Sequence, residues 1–265
     1  MKIQLASSLN MPRTTKIIQI SDCHLFADKQ KLGFANRCPF ATLSRVLNAI
    51  KAENPDLVIN TGDVSSDFSE ESYLNYRQAW SEVGLSTSEL SVAGNHDKIR
   101  FWEVCFDRKQ GYAQHSLLNG TWHIHLLASR FKGALGTVTE GSLRAFADHV
   151  RSAPELNHIA VLHHSVMSSN VWMDKHYLTN ANAVIASISS LPVRAVLHGH
   201  VHTERCVMLG NTPLFACPST CWQWGNTKEF SVSNHAPGYR VIKLTDDGGF
   251  ETSVKYVTEG ITTHD

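Results

Sequence analysis

Apolar residues recur along the chain with two different periods. Phe40, Leu43, Val46, Leu47 and Ile50 fall three and four positions apart, as do Tyr73, Tyr76, Trp80 and Val83. That spacing lays one apolar stripe along a helix and predicts a helix around each set. Leu143, Phe146 and Val150 predict a third helix, and Val184, Ile185 and Ile188 a fourth. Between them lie strand-length runs: Lys16 to Ile20, Leu57 to Asn60, Leu90 to Ala93, Ile124 to Leu127, Ile159 to Leu162 and Ala195 to Leu197. Short runs that are apolar at nearly every position suit strands buried on both faces. After residue 200 the helical spacing stops. Thr212 to Ala216, Tyr239 to Leu244 and Phe250 to Val257 read as strands, with Asp246-Asp247-Gly248-Gly249 as the turn between the last two. The pattern predicts an α/β chain with a largely parallel sheet first and a β-rich C-terminal third. No repeat or linker interrupts it, so residues 16–265 are expected to form one domain behind an N-terminal arm of residues 1–15.

Charge narrows the function classes. The 265 residues carry 24 basic and 24 acidic side chains, which argues against a general binder of nucleic-acid polymers and against a disordered tail. A phosphate-bearing ligand would need positive charge supplied locally. No stretch approaches the ~18 consecutive apolar residues of a membrane span. Gln4, Ser7, Ser8 and Asn10 interrupt the first dozen residues, so no secretory segment forms and the expected location is the cytoplasm. The six cysteines include no CxxC pair and read as reduced packing residues. Histidine is the outlier, with 15 residues, several of them clustered. Metal ligation is a common reason for clustered imidazoles.

The clusters follow the strands. Ile17 to Ile20 runs into Ser21-Asp22-Cys23-His24, and Leu57 to Asn60 into Thr61-Gly62-Asp63. Val92-Ala93 runs into Gly94-Asn95-His96-Asp97, Ile159 to Leu162 into His163-His164, and Ala195 to Leu197 into His198-Gly199-His200-Val201-His202. Ligand sites in open α/β sheets lie beyond the carboxyl ends of the strands, so parallel strands can deliver five distant segments to one rim. Gly62, Gly94 and Gly199 each precede a ligand-type residue, where a turn with unusual dihedrals is expected to re-aim the chain. Any one of these pieces is ordinary turn chemistry; five at strand ends in one chain are not. Two aspartates, one asparagine and four histidines suit manganese, iron, zinc or cobalt better than calcium or magnesium. Seven ligands exceed the need of one ion, which predicts two ions sharing a carboxylate, a clamp suited to in-line displacement at phosphorus.

These residues resemble the calcineurin-like metallophosphoesterase superfamily, whose pattern D-x-H, G-D, G-N-H-[DE], H and G-H-x-H stands here in order over nearly the whole chain. The resemblance implies a four-layer α/β/β/α sandwich. It also implies that Asp22, His24, Asp63 and His202 hold one ion, and Asp63, Asn95, His163 and His200 the other, with Asp63 bridging. Ser165-Val166 follows the histidine pair where the family usually has proline, and the choice between His163 and His164 stays open at this point. Within the superfamily the chain is similar to bacterial class III cyclic nucleotide phosphodiesterases, through Gln19 to Phe26, Trp172 to Leu178, Pro218 to Cys221 and Ala236 to Arg240.

The resemblance implies hydrolysis of 3′,5′-cyclic AMP to 5′-AMP by a metal-bridging hydroxide. Iron or manganese are the expected metals, with zinc or cobalt as alternatives. His96 is the expected proton donor to the leaving oxygen, with Asp97 orienting its ring. His24, Asp63, Asn95, His96, His163 and His202 are expected to face the substrate. Trp222, Trp224 and Phe230 are read first as cover for a sheet edge and second as a surface for the base, which His176 and Asn180 would also line. His115, His123, His125, His149, His158, His235 and His264 match no motif and read as structural or surface residues. The partner is a small cyclic nucleotide, with no nucleic-acid polymer and no membrane; the oligomeric state is open. Two other functions compete: a broader phosphodiesterase or phosphomonoesterase that also takes 2′,3′-cyclic nucleotides, and a non-catalytic interaction scaffold.

Overall fold

The computed structural model describes residues 12–109, 114–118, 120–168 and 171–258. In chain order the first half comprises β1 (Thr14–Ile20), α1 (Pro39–Glu53), β2 (Leu57–Asn60), α2 (Glu70–Val83), β3 (Ser88–Ser91), α3 (Ile99–Phe106), β4 (Gln114–Leu118), β5 (Trp122–Leu126), β6 (Ser129–Lys132) and β7 (Leu135–Val138). There follow α4 (Glu140–Ser152), β8 (Asn157–Val161), α5 (Ala181–Ser189), β9 (Val193–His198), β10 (Arg205–Leu209) and β11 (Thr212–Ala216). The chain ends with β12 (Gln223–Trp224), β13 (Val232–Ser233), β14 (Gly238–Thr245) and β15 (Phe250–Tyr256).

Two mixed sheets form where the apolar pattern alone suggested one. The first has the order β15-β14-β1-β2-β3, and the second β10-β11-β9-β8-β5-β4. β1, β2 and β3 run parallel, as do β11, β9, β8 and β5; β14 lies antiparallel between β1 and β15, and β10 and β4 are antiparallel edges of the second sheet. The sheets meet through the inner residues Ile17, Ile59, Val92, Ile124, Val161, Leu197 and Ile242. The stripes of α1 and α2, with Trp102 and Phe106 of α3, cover the outer face of the first sheet. Phe146 and Val150 of α4 and Val184 and Ile188 of α5 cover the second. The result is the expected four-layer α/β/β/α sandwich. Strands buried on both faces explain why these runs carry so few polar residues.

Some elements differ from the sequence expectation. The helix α3 has no periodic signature, because Ile99, Phe101, Trp102, Val104, Cys105 and Phe106 make an almost continuous apolar run over eight residues, and Val104 is exposed. β3 begins and ends two residues earlier than expected, with Val92 and Ala93 leaving the strand toward the loop. Thr14 and Thr15 pair with β14, so the sheet begins inside the expected arm, most of which lies outside the described residues. Among the described residues no helix is long and apolar enough to cross a membrane.

Candidate metal centre

β1, β2 and β3 of the first sheet and β8 and β9 of the second end on the same side of the sandwich. The Gln19 side chain ties the two edges together by donating to the His198 carbonyl across the sheets at 3.0 Å. Beyond the strands the first two loops continue the parallel ladder. Asp22 N donates to Gly62 O at 2.8 Å, His24 N to Asp63 O at 3.0 Å and Leu25 N to Val64 O at 2.8 Å. The loop after β9 docks on the first, where His200 N donates to the Asp22 carboxylate at 3.0 Å.

This zipping holds an unusual backbone. Asp22, His24, Asp63, His200 and His202 all have φ between 46° and 69°. A left-handed conformation costs a residue with a Cβ about 1–2 kcal/mol, a strain that clusters at functional sites. The expected role of the glycines needs correcting here. Only Gly62 adopts a positive φ, 101°; Gly94 and Gly199 are instead required for space. A Cβ on Gly94 would stand 2.1 Å from Asp63 Oδ1, and one on Gly199 1.9 Å from Ser21 Oγ.

Asp22, His24, Asp63, His163, His200 and His202 are all buried and converge. His24 Nε2 and His202 Nε2 lie 2.9 Å apart, and His202 Nε2 is 3.3 Å from Asp22 Oδ1. His163 Nε2 lies 3.2 Å from both Asn95 Oδ1 and His200 Nδ1. Asp63 stands between the groups, with Oδ2 3.7 Å from His24 Nε2 and 3.4 Å from His163 Nε2. Asp22–His24–His202 and Asp63–His163–His200 are each compact enough to hold an ion.

The donor set fits a pair of cations on two grounds. First, three imidazoles give one nitrogen to a backbone carbonyl: His163 Nδ1 to Thr61 at 2.7 Å, His200 Nε2 to His176 at 2.7 Å and His202 Nδ1 to Trp222 at 2.9 Å. Each bond fixes the tautomer and aims the other nitrogen's lone pair at the centre, as for metal-bound histidines. Second, the charge balance calls for cations. Burial opposes ionisation of Asp63, yet the neighbouring imidazoles hold its carboxyl well below the usual range. His163, which burial alone would lower, is lifted to about 9 by Asp63 and Asp22, so a proton gathers where a cation would sit. Burial, with neighbouring imidazoles, pushes His24 down to about 3 and His200 well below the imidazole range, leaving both in the neutral form that binds metal.

The two histidines after β8 point to different places. His163 faces the cluster, whereas His164 Nε2 bonds to the Ala134 carbonyl at 3.0 Å. The expected orientation of the His96 ring by Asp97 is not found. The buried Asp97 carboxylate is occupied by backbone: Asp63 N at 2.9 Å, Val64 N at 3.0 Å, Ser65 N at 3.3 Å and Gly94 N at 2.8 Å, with the Tyr73 hydroxyl at 2.9 Å. Asp97 clamps the second metal loop to the third, and the ring of His96 leaves Nδ1 without a partner. His96 instead stacks on Phe68 and stands edge-on to His24 at 5.0 Å.

A cavity of about 120 Å³ opens over the centre, lined by His24, Asp63, Asn95, His96, His200, His202, Trp172, Met173, His176 and Trp224, with Ala134. Of the residues expected to face substrate, His163 is absent from this lining, its Nε2 lying against Asn95 Oδ1 and Asp63 Oδ2. Asn180 is likewise withdrawn, its amide bonding both backbone groups of Val138. Beyond the edge cover or base surface expected of them, the tryptophans support ligand histidines. Trp222 is buried and stacks on His24 at 5.3 Å, and Trp224 stacks on His202 at 4.7 Å. Sequence reasoning missed Ser219, whose hydroxyl donates to the Asp22 carbonyl at 2.8 Å and supports the first loop from β11's side.

Residues 15–204 match the family model described as calcineurin-like phosphoesterase. The 3′,5′-cyclic adenosine monophosphate phosphodiesterase CpdA of Haemophilus influenzae is 30% identical over 253 residues, covering 92% of this chain and 90% of that protein. The protein of the same name from Pseudomonas aeruginosa is 32% identical over 251 residues, covering 92% and 90%. Among solved structures, a dimetal phosphatase from Danio rerio superposes with a TM-score of 0.65 at 11% identity, over 92% of this chain and 99% of that one. At such identity the likeness concerns the fold alone.

Proposed function

We propose, for a chain that belongs to the calcineurin-like phosphoesterase family, that it hydrolyses 3′,5′-cyclic AMP to 5′-AMP. The family implies a dinuclear metal centre, and the histidine and aspartate clusters for one are present. The observation that carries the reading is the position of Asp63, its Oδ2 within 3.7 Å and 3.4 Å of ring nitrogens from two separate ligand groups. Asp22, His24, Asp63 and His202 would hold one ion, and Asp63, Asn95, His163 and His200 the other. When bound, two such ions supply Lewis acidity at the phosphoryl oxygens and lower the pKa of water. Iron or manganese fit this mixed oxygen and nitrogen set.

The remaining chemistry belongs to the chain. The Asn95 amide, held over the cluster, donates to a non-bridging oxygen as charge builds there. Hydrolysis forms one phosphorus–oxygen bond to water and breaks the bond to the 3′-oxygen, which needs a proton. His96 lines the cavity and supplies it. Asp97 acts indirectly, keeping the Asp63 and Asn95 loops in register. The cavity is well below the roughly 300–1,000 Å³ of a pocket for a drug-sized ligand. It accepts the phosphoryl end, and the nucleoside extends past it against Trp172 and Trp224, which meet edge-on at 5.4 Å. Stacking on such a face is worth ~1–3 kcal/mol per base.

The test is a panel assay. Protein reconstituted with manganese or iron is offered cyclic AMP, cyclic GMP, 2′,3′-cyclic AMP and p-nitrophenyl mono- and diesters. The proposal expects the highest kcat/KM on 3′,5′-cyclic AMP. A preference for simple esters would transfer the assignment to the broader phosphoesterase, which the small cavity also admits, and no turnover of any ester would leave only a scaffold. Trp224→Ala should raise KM for cyclic AMP about tenfold or more and leave bis(p-nitrophenyl) phosphate little changed. His96→Ala with metal retained should lose more on cyclic AMP than on p-nitrophenyl esters, whose leaving group needs no proton; equal losses would remove the acid role.

A further inference from the structure

We propose that His123, His125 and His158 form a separate site for a single divalent cation of the zinc class, on the outer face of the second sheet. The alternation along β5 places them there. Trp122, Ile124 and Leu126 fill the core between the sheets, so His123 and His125 project to the opposite face. The parallel register pairs His123 with His158 on β8, which brings the third imidazole alongside the other two. His125 and His158 are fully buried, and Phe146 of α4 lies edge-on over His125 at 5.0 Å.

The geometry repeats that of the dinuclear centre. One nitrogen from each ring lies within 4.8 Å of the others. His125 Nε2 and His158 Nδ1 are 2.9 Å apart, the same separation as His24 and His202. His158 Nε2 meets the Ala153 carbonyl at 2.9 Å, which fixes its tautomer and turns the Nδ1 lone pair toward the cluster. A tetrahedral ion with zinc–nitrogen bonds of about 2.0–2.1 Å holds its ligand nitrogens about 3.3 Å apart, so His125 and His158 would part slightly and His123, within 4.8 Å, would draw in. The site differs from the dinuclear centre in chemistry. Among the described residues it offers three imidazoles and no carboxylate, which favours zinc, cobalt or nickel over manganese. An ion here would clamp β5 to β8, the strand that leads into His163.

The competing arrangement is a chain of neutral imidazoles, with His125 donating to His158. The two are separated by counting ions in the untagged full-length protein loaded with two equivalents of manganese and then dialysed against zinc or cobalt. Total bound metal should reach three per chain, and cobalt at the third position should give the intense visible bands of a tetrahedral nitrogen site. His158→Gln should bind one ion fewer, with affinity for it down at least about 100-fold, and should lose the rise in Tm that zinc gives the wild type. His123→Gln, at a less buried position, should do the same if His158→Gln folds poorly. A total of two ions at saturation, or a third ion that survives both substitutions, would overturn the site.

Discussion

Gly94→Ala perturbs the centre without touching a ligand. The new methyl group would stand 2.1 Å from Asp63 Oδ1, 2.5 Å from Asp63 N and 2.7 Å from Asp63 Cγ, where real contacts essentially never fall below 3.0 Å. Something must therefore retreat by about 0.9 Å, the difference between 3.0 and 2.1 Å. The backbone of Asp63, held by its amide to Asp97 and its carbonyl to His24 N, must itself yield at the nitrogen, and the carboxylate proposed as the bridge moves further. Misplacing a catalytic group by 1 Å can cost ~10²-fold in rate. The expected result is a kcat/KM on cyclic AMP lower by ~100-fold or more, with bound metal falling below two ions, while circular dichroism stays native. Gly120→Ala is the control. Its φ of 72° costs about 1–2 kcal/mol, but nothing lies within 4 Å, so stability falls and activity does not. A Gly94→Ala enzyme with both ions and a rate within about threefold of wild type would refute the reasoning.

Asp97→Asn sets an amide group against four backbone N–H donors and should cost ~3 kcal/mol in urea unfolding. Its rate should fall equally on good and poor leaving groups; a loss confined to poor ones would restore Asp97 to proton transfer. Burial lifts the Glu89 carboxyl to about 7 even though Tyr76 and Arg77 contact it. Its folded pKa lies above the unfolded one, so stability is full below about pH 4.5 and declines toward pH 7, by about 3 kcal/mol in all. The difference between wild type and Glu89→Gln in unfolding free energy against pH should show that slope, and a flat difference would contradict it.

The site was more legible than the fold around it. Asp22, Asp63, Asn95 and His200 follow apolar runs closely, so strand ends and ligands can be read together. Periodicity could not divide the strands between two sheets, because a run buried on both faces has no side to choose. α3 was hidden by its brevity, and β4, β6, β7, β10, β12 and β13 by short or mixed patterns. The left-handed backbone at Asp22, His24, His200 and His202 carries no residue signature, since hydrogen bonds to neighbouring loops impose it. Asp97 was misread for a related reason. Its partners are amides at Asp63, Val64, Ser65 and Gly94, and adjacency to His96 in sequence says nothing about them. The alternating His123 and His125 were visible in the sequence, but only the register with β8 adds His158. His235 is exposed as expected, and His264 lies outside the described residues.

The central claim is that five loops from two sheets grip a pair of cations through one shared aspartate. Crystals grown with manganese, with data collected near its absorption edge, test it directly. Two anomalous peaks are expected roughly 3.5–4 Å apart, with Asp63 between them, Asp22, His24 and His202 on one and Asn95, His163 and His200 on the other. A single peak, or two peaks with Asp63 bound to neither or to only one, would contradict it.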